Sequence, residues 1–227
     1  MKMPRTNINV IIYCYRGMTL LDAIGPYEVL AQLDYMNIKW VSESGRSVTA
    51  DSKMASIAVD HSIQNVHQAD LLIIPGSSIT FVREMTNSAV TDWIKTIDKT
   101  TQFTTSVCTG AFILAATGLL NGQKATTHWQ SIDKLKSWNI QPVQDRYVRS
   151  GKYLTAAGVS AGIEMALELI RSITDEHTAH AVQKAIEFYP DVSNSSSSDT
   201  LVHKKALDIL DQKANAEPEL LEKWKNL

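Results

Sequence analysis

The sequence has few cysteines, no long apolar run and almost no net charge, and each scarcity disfavours a class of protein. Only two of the 227 residues are cysteine, Cys14 and Cys108. Two thiols cannot form a disulfide framework, so we expect a protein of the reducing cytoplasm. No apolar run reaches the roughly 18 residues that a membrane-spanning helix needs. The formal net charge is −2, so neither a nucleic acid nor a membrane is an expected partner.

Familiar cofactor and metal motifs are also missing from the sequence. It contains no HExxH, no Walker loop and no GxGxxG, and its six histidines form no convincing set of metal ligands. We therefore expect neither a metal nor a cofactor. The apolar run at 8–15 lacks a small-residue cleavage site, so it is predicted to be a first strand rather than a signal peptide.

Apolar strand-like segments alternate with helical patterns along most of the chain. This alternation predicts an α/β fold in which helices cover both faces of a parallel sheet. The carboxyl ends of such strands form the ligand-binding edge, which here lies near Gly17, Gly76 and Cys108. Predicted strands lie at 8–15, 38–42, 70–75, 102–107 and 125–127, a hairpin at 143–156, and helical segments at 20–36, 79–99, 109–120, 160–172 and 175–188.

The composition changes after Pro190, where a serine-rich polar segment begins. We predict one domain over residues 1–190 and a helical appendage over 191–227 that is not an independent domain. Asp199 is a possible cap of its first helix, and Pro218 is predicted to start its last. The appendage is expected to pack on the domain or on a second subunit.

Cys108 follows a β-branched run and precedes a run of small residues, in TTSVCTGAFILAATGLL. Most cysteines are simply buried, but a sharp turn between a strand and a helix favours a nucleophile at this position. The start of the following helix is expected to lower the pKa of the thiol, and backbone N–H groups there could bind an anion. Cys14 lies inside the first strand and is expected to be inert.

Three further side chains are candidates on weaker grounds. Asp22 lies in an apolar stretch at the start of a predicted helix. It could be a solvated acid stabilised by the helix dipole or a buried carboxyl with a raised pKa, and the residues alone leave both readings open. Glu28 is expected to be structural. His128 opens a predicted helix, where it could cap the helix or pair with a cysteine.

Four segments in this order resemble the DJ-1/PfpI superfamily, and within it they are most similar to the isonitrile hydratases. The similarity covers about residues 8 to 190. The segments are LLDAIGPYEVL, DLLIIPGS, SVCTGAFILAATGLLNGQKATTHW and GVSAGIEMALELI.

The resemblance implies a flavodoxin-like α/β sandwich, of the class I glutamine amidotransferase type, with a cysteine nucleophile elbow in a homodimer. Cys108 matches the family nucleophile, and Asp22 matches the acid that contacts it. Thr109 occupies a position where protease-like members carry histidine, which argues against a peptidase. His128 matches a histidine near the family's active site.

The loop after Pro75 departs from the family pattern, because Gly76-Ser77 replaces the usual glycine pair. In the family, a backbone N–H here helps to bind substrate, and Ser77 still provides one. A serine that required a positive φ would be strained, so this substitution bears on the identity of the substrate.

The resemblance implies a cofactor-independent hydratase that converts a small isonitrile into an N-substituted formamide. Cys108, Asp22 and Thr109 would be catalytic, and Gly76, Ser77 and His128 would bind substrate. Two alternatives remain, which are a non-enzymatic or redox-sensing protein and a glyoxalase or deglycase. A DNA-binding regulator is not expected, since only 37 residues follow Pro190 and they are not basic.

Overall fold

The computed structural model describes residues 7–190 and 200–227. Residues 1–6 and 191–199 lie outside the described residues, and with them the expected helix cap at Asp199. The strands are β1 (Ile8–Tyr13), β2 (Met36–Ser42), β3 (Val48–Thr49), β4 (Ser56–Ile57), β5 (His61–Ser62), β6 (Leu71–Ile74), β7 (Phe103–Val107), β8 (Lys124–Ala125), β9 (Gln141–Pro142), β10 (Tyr147–Ser150) and β11 (Tyr153–Ala156).

The helices fall between these strands and at the end of the chain. They are α1 (Leu20–Leu30), α2 (Phe81–Met85), α3 (Ser88–Asp98), α4 (Gly110–Ala116), α5 (Ala161–Ile173), α6 (Glu176–Ala185), α7 (Thr200–Ala214) and α8 (Pro218–Lys225), together with a 3₁₀ helix over Trp129–Trp138.

Seven strands form the main sheet, in the order β10-β11-β7-β6-β1-β2-β5. All neighbouring pairs are parallel except the β10-β11 hairpin. The central strands β6 and β7 are buried along their whole length, as expected for a parallel sheet that helices cover on both faces. Helices α1, α5 and α6 pack together, as do α2, α3 and α4. The predicted α/β class is therefore confirmed.

Several boundaries differ from the sequence prediction. The helical pattern at 79–99 is two helices, because the chain turns at Thr86 and Asn87 and the Asn87 side chain caps α3. The segment after His128 is a 3₁₀ helix rather than an α-helix. Strand β5 joins the edge of the main sheet through a two-residue pairing with β2, which is too short to produce a sequence pattern.

The carboxyl ends of β1, β6 and β7 meet at one edge of the sheet. There the backbone N–H of Thr19 donates to the carbonyl oxygen of Gly76 over 2.9 Å, which joins the loop after β1 to the loop after β6. Among the described helices, none has the length and apolar character required to cross a membrane. Within the same residues, no cluster of three or more potential ligand side chains could hold a metal ion.

Candidate active site

Cys108 occupies a sharp turn between β7 and α4 with a left-handed backbone, at φ 57°. Its N–H donates to the carbonyl oxygens of Ala156 and Ala157 over 3.1 and 2.8 Å. Its carbonyl accepts a 2.8 Å hydrogen bond from the Thr127 hydroxyl. A positive φ at a residue other than glycine costs on the order of 1–3 kcal/mol and persists only where its surroundings impose it. These bonds hold the predicted elbow in place.

Two glycines allow the elbow to lie directly against the loop after β6. A Cβ atom on Gly110 would collide with the carbonyl oxygen of Ile74. One on Gly76 would lie 2.5 Å from the backbone nitrogen of Thr109. Neither position has room for a side chain, so the close approach of the two backbones fixes the Cys108 thiol relative to the loop.

Asp22 is fully buried at the start of α1, which resolves the two sequence readings in favour of a buried carboxyl. Its Oδ2 accepts a 2.9 Å hydrogen bond from the Gly76 N–H. Its Oδ1 is buried and makes no hydrogen bond of normal geometry within residues 7–190 and 200–227. Burial raises the pKa of Asp22 to about 7, while the Gly76 N–H and the adjacent Cys108 thiol act in the opposite direction.

The thiol of Cys108 does not have the lowered pKa that its place at the start of a helix suggests. Burial, reinforced by the negative charge of Asp22, raises the pKa of Cys108 above its ordinary value. Hydrogen bonds from the Thr109 and Val159 N–H groups oppose this rise without cancelling it. Helix α4 has seven residues, so its dipole is small beside the cost of removing a charge from water. The predicted lowering is wrong.

Thr109 and Ser77 bind each other through two hydrogen bonds. The Thr109 hydroxyl donates to the Ser77 carbonyl oxygen over 2.7 Å and accepts from the Ser77 N–H over 2.9 Å. The Ser77 N–H is therefore already occupied, so it cannot serve as the predicted free donor to a substrate. The N–H groups of Thr109 and Val159 are the donors that face the sulfur.

Ser77 also avoids the strain that its replacement of glycine could have caused, since its φ is not positive. Its hydroxyl accepts a 2.7 Å hydrogen bond from the Phe81 N–H at the start of α2. The side chain thus fixes the loop to the following helix.

The remaining sequence candidates separate clearly in the structure. His128 is half-buried, and its Nδ1 accepts a 3.4 Å hydrogen bond from the Gln130 N–H. Burial lowers its pKa, so it is neutral at neutral pH. Glu28 is exposed, whereas Cys14 is fully buried and burial raises its pKa.

A cavity of about 280 Å³ opens onto Cys108 and brings together Ser77, Thr109 and His128. Asp22 and Gly76 lie behind this surface. The sequence analysis missed the part of the wall that comes from Lys134, α7 and α8. Leu221 and Trp224 lie three residues apart in α8, and this helical spacing was the available signal. The wall residues from α7 and α8 are Leu210, Asp211, Lys213, Ala214, Leu221 and Trp224.

Comparisons with known sequences relate most of this chain to one family. Residues 8–172 match the family described as the DJ-1/PfpI family. The chain is 34% identical over 170 residues to isonitrile hydratase of Pseudomonas putida, covering 75% of this chain and 74% of that protein. It is 28% identical over 174 residues to the HTH-type transcriptional regulator CdhR of Pseudomonas aeruginosa. That alignment covers 75% of this chain but only 49% of the regulator.

Two solved structures show how far the similarity in fold extends. A ThiJ/PfpI family protein from Pseudomonas syringae superposes with a TM-score of 0.85 at 26% identity, covering 95% of this chain and 90% of its own. Drosophila melanogaster DJ-1beta gives a TM-score of 0.73 at 19% identity, covering 82% of this chain and 100% of its own. The 5% left uncovered by the first superposition is fewer residues than 200–227 contain, so part of the C-terminal helices has a counterpart there.

Proposed function

This chain belongs to the DJ-1/PfpI family, and we propose that it is an isonitrile hydratase, adding water to R–N≡C to give the formamide R–NH–CHO. The observation that carries the proposal is the Cys108 elbow beside the buried Asp22 carboxyl, with a pKa near 7 for that carboxyl. When a thiol and a carboxyl are adjacent, the sulfur can attack a carbon while the carboxyl protonates the same carbon. The similarity to the Pseudomonas putida enzyme supports the choice of substrate.

In the first step, the Cys108 sulfur attacks the terminal carbon of the isonitrile. The thiol and Asp22 share one proton at the start, since burial disfavours two negative charges in contact. As the carbon–sulfur bond forms, Asp22 passes that proton to the same carbon. The product is a thioimidate, R–N=CH–S–Cys108, and Asp22 is left ionised. A soft thiolate suits this carbene-like carbon, and no charged leaving group is needed.

In the second step, Asp22 takes a proton from a water that attacks the thioimidate carbon, and passes it to the nitrogen. The carbon–sulfur bond of the resulting R–NH–CH(OH)–S–Cys108 then breaks, with its electron pair returning to sulfur. The hydroxyl proton returns to Asp22 as the formamide carbonyl forms. One water is consumed and the shared proton is restored.

The residues around the pair have distinct roles in this proposal. The Thr109 and Val159 N–H groups stabilise the sulfur when it carries charge. Thr109 also holds Ser77 in place, and the neighbouring Gly76 orients the carboxyl of Asp22 through its N–H. Neutral His128 lines the cavity, where it can orient a substrate or the attacking water.

The proposal extends to a cofactor-independent homodimer that acts in the cytoplasm. Leu21 and Trp129 are each about 40% exposed and line one open groove with Ile132, and exposed apolar side chains of this kind are common at subunit interfaces. Sedimentation of the purified protein measures the subunit number directly.

The test of the activity is the hydration of an aryl isonitrile, followed by the ultraviolet absorbance of the formamide. Wild type and Cys14→Ala should turn over, Cys108→Ala should not, and Asp22→Asn should be slower by about 100-fold or more. Full activity in Cys108→Ala would rule out the mechanism. An inactive wild type whose Cys108 still alkylates would instead favour a redox sensor, to be tested with peroxide, or a glyoxalase or deglycase, to be tested with α-oxoaldehydes.

A further inference from the structure

The two C-terminal helices form one wall of the cavity that contains Cys108. Leu210 and Ala214 come from α7, and Leu221 and Trp224 from α8. Ile79 and Phe81, from the loop after β6 and the start of α2, line the same cavity on the main domain. A substrate that reaches the sulfur must therefore fit between the main domain and these helices.

Trp224 fixes α8 to the domain at the cavity wall. Its ring meets Phe81 and Phe112 in edge-on contacts, with ring centres 4.9 and 4.7 Å apart. The Lys134 ammonium lies 4.0 Å from the centre of the same ring and donates a 2.6 Å hydrogen bond to the Trp224 carbonyl oxygen. Aromatic pairs and a cation over an indole each add stabilisation beyond buried area.

Polar contacts hold the same helices at other points along their length. Lys213 of α7 pairs with Asp51 over 3.2 Å, and Lys223 of α8 donates to the Thr86 hydroxyl over 2.9 Å. Pairs of this exposure are individually weak. Distributed along the two helices, they define one position for the wall relative to Cys108.

We propose that Trp224, Leu221 and Ala214 select substrates by size, admitting isonitriles with a compact apolar substituent to Cys108 and excluding bulky ones. The cavity of about 280 Å³ is at the lower end of the range for small-molecule sites. Its wall at this side is mostly apolar, the exceptions being Asp211 and two lysines that already bind Trp224 and Asp51. The substrate class rests on the proposed function, whereas the size selection at the thiol does not.

Alkylation of Cys108 tests the selection without requiring turnover. All proteins carry Cys14→Ala, so that Cys108 is the thiol that is labelled. The small probe is iodoacetamide and the bulky one is N-(1-pyrenyl)maleimide. The labelling rate of each probe is divided by its rate with glutathione. Trp224→Ala should raise the ratio of bulky to small labelling rates by about tenfold or more, as for other changes of contact in an apolar pocket. Lys225→Ala, an exposed change in the same helix, should leave the ratio unchanged.

A second variant, expected to lower the labelling ratio, distinguishes size selection from simple detachment of α8. Ala214 is buried and lines the cavity, so Ala214→Leu should narrow the opening and lower the same ratio by about tenfold. Leucine is a good helix former, so α7 should persist, which circular dichroism would check. An unchanged ratio in either Trp224→Ala or Ala214→Leu would overturn the proposal.

Hydration assays then separate this inference from the proposed function. If both hold, Trp224→Ala should shift kcat/KM from cyclohexyl isonitrile towards a naphthyl isonitrile, in the same sense as the labelling ratio. If labelling is selective and neither isonitrile reacts, the proposed function fails while the size selection remains. If both isonitriles react equally well and the labelling ratio does not move, only the size selection is wrong.

Discussion

The backbone N–H of Gly76 donates a 2.9 Å hydrogen bond to Oδ2 of Asp22. This bond joins the loop after β6 to the first turn of α1, and it orients a carboxyl that is fully buried. Because Oδ2 is held by the loop, Oδ1 is the oxygen left without a hydrogen bond of normal geometry in the described residues. A buried acceptor without a partner is costly and calls for an explanation. Proton transfer at the Cys108 thiol provides one.

The rate of hydration should depend on pH through Asp22. With a pKa raised to about 7, Asp22 and Cys108 both carry protons in acid, and the pair that shares one proton appears as the pH rises. We expect kcat/KM to rise through pH 7, and Asp22→Asn to lower it by about 100-fold or more and remove this inflection. A pH–rate profile of both proteins checks this, and an unchanged inflection in the variant would assign it to another group.

Thr109→Val should destabilise the protein because it leaves the buried N–H and carbonyl of Ser77 without their partner. Each such loss costs about 1–3 kcal/mol. Thr109→Ser keeps the hydroxyl and is the matched control, for which we expect a cost of about 1 kcal/mol or less. Urea unfolding measures both, and equal midpoints for the two variants would show that the hydroxyl does not hold the loop.

Gly110→Ala should be tolerated much less well than Gly118→Ala. The first would place a Cβ against the carbonyl oxygen of Ile74, whereas the second has open space but a φ of +80°. We expect a cost of about 1–2 kcal/mol at 118 from the left-handed backbone. At 110 the loss should be larger and should include the reactivity of Cys108, since the elbow must move. Thermal unfolding and thiol alkylation measure the two effects, and the reverse order would contradict the packing.

The stability of the protein should fall as the pH rises through the neutral range because of Glu84. Burial, with the nearby charge of Glu43, raises the pKa of Glu84 from an ordinary 4.5 to about 7, although Tyr13 donates a 2.5 Å hydrogen bond to it. The folded state therefore binds more protons than the unfolded state between these values, so the free energy of unfolding decreases from about pH 4.5 to 7 and levels off above.

Glu84→Gln removes this titration while keeping an acceptor for Tyr13. We expect the free energy of unfolding, measured by urea, to change less between pH 5 and 8 in the variant than in wild type. The two changes should differ by a free energy on the order of 3 kcal/mol. The remaining slope should include Asp22, whose raised pKa acts in the same direction. Identical slopes for the two proteins would show that Glu84 ionises freely in the folded state.

Part of this site follows from neighbours in the chain. The strand before Cys108 and the small residues after it predict the elbow, because strand and helix patterns need only local residues. The apolar residues around Asp22 allow a buried carboxyl, but the same letters also fit a solvated acid, so burial had to come from the packed structure. The family resemblance implied that Asp22 contacts Cys108, but it did not predict the conformation of the loop at Ser77.

The order of residues along the chain was enough to predict the parallel α/β sheet, the position of the turn at Cys108 and the family. These depend on the order of apolar, small and β-branched residues within short segments. Packing of distant segments sets the direction of the Cys108 pKa shift, the bonds between Thr109 and Ser77, and the placement of Trp224 at the cavity wall. Each of these depends on contacts between residues 32 to 143 positions apart, because desolvation and hydrogen bonding act across space rather than along the chain.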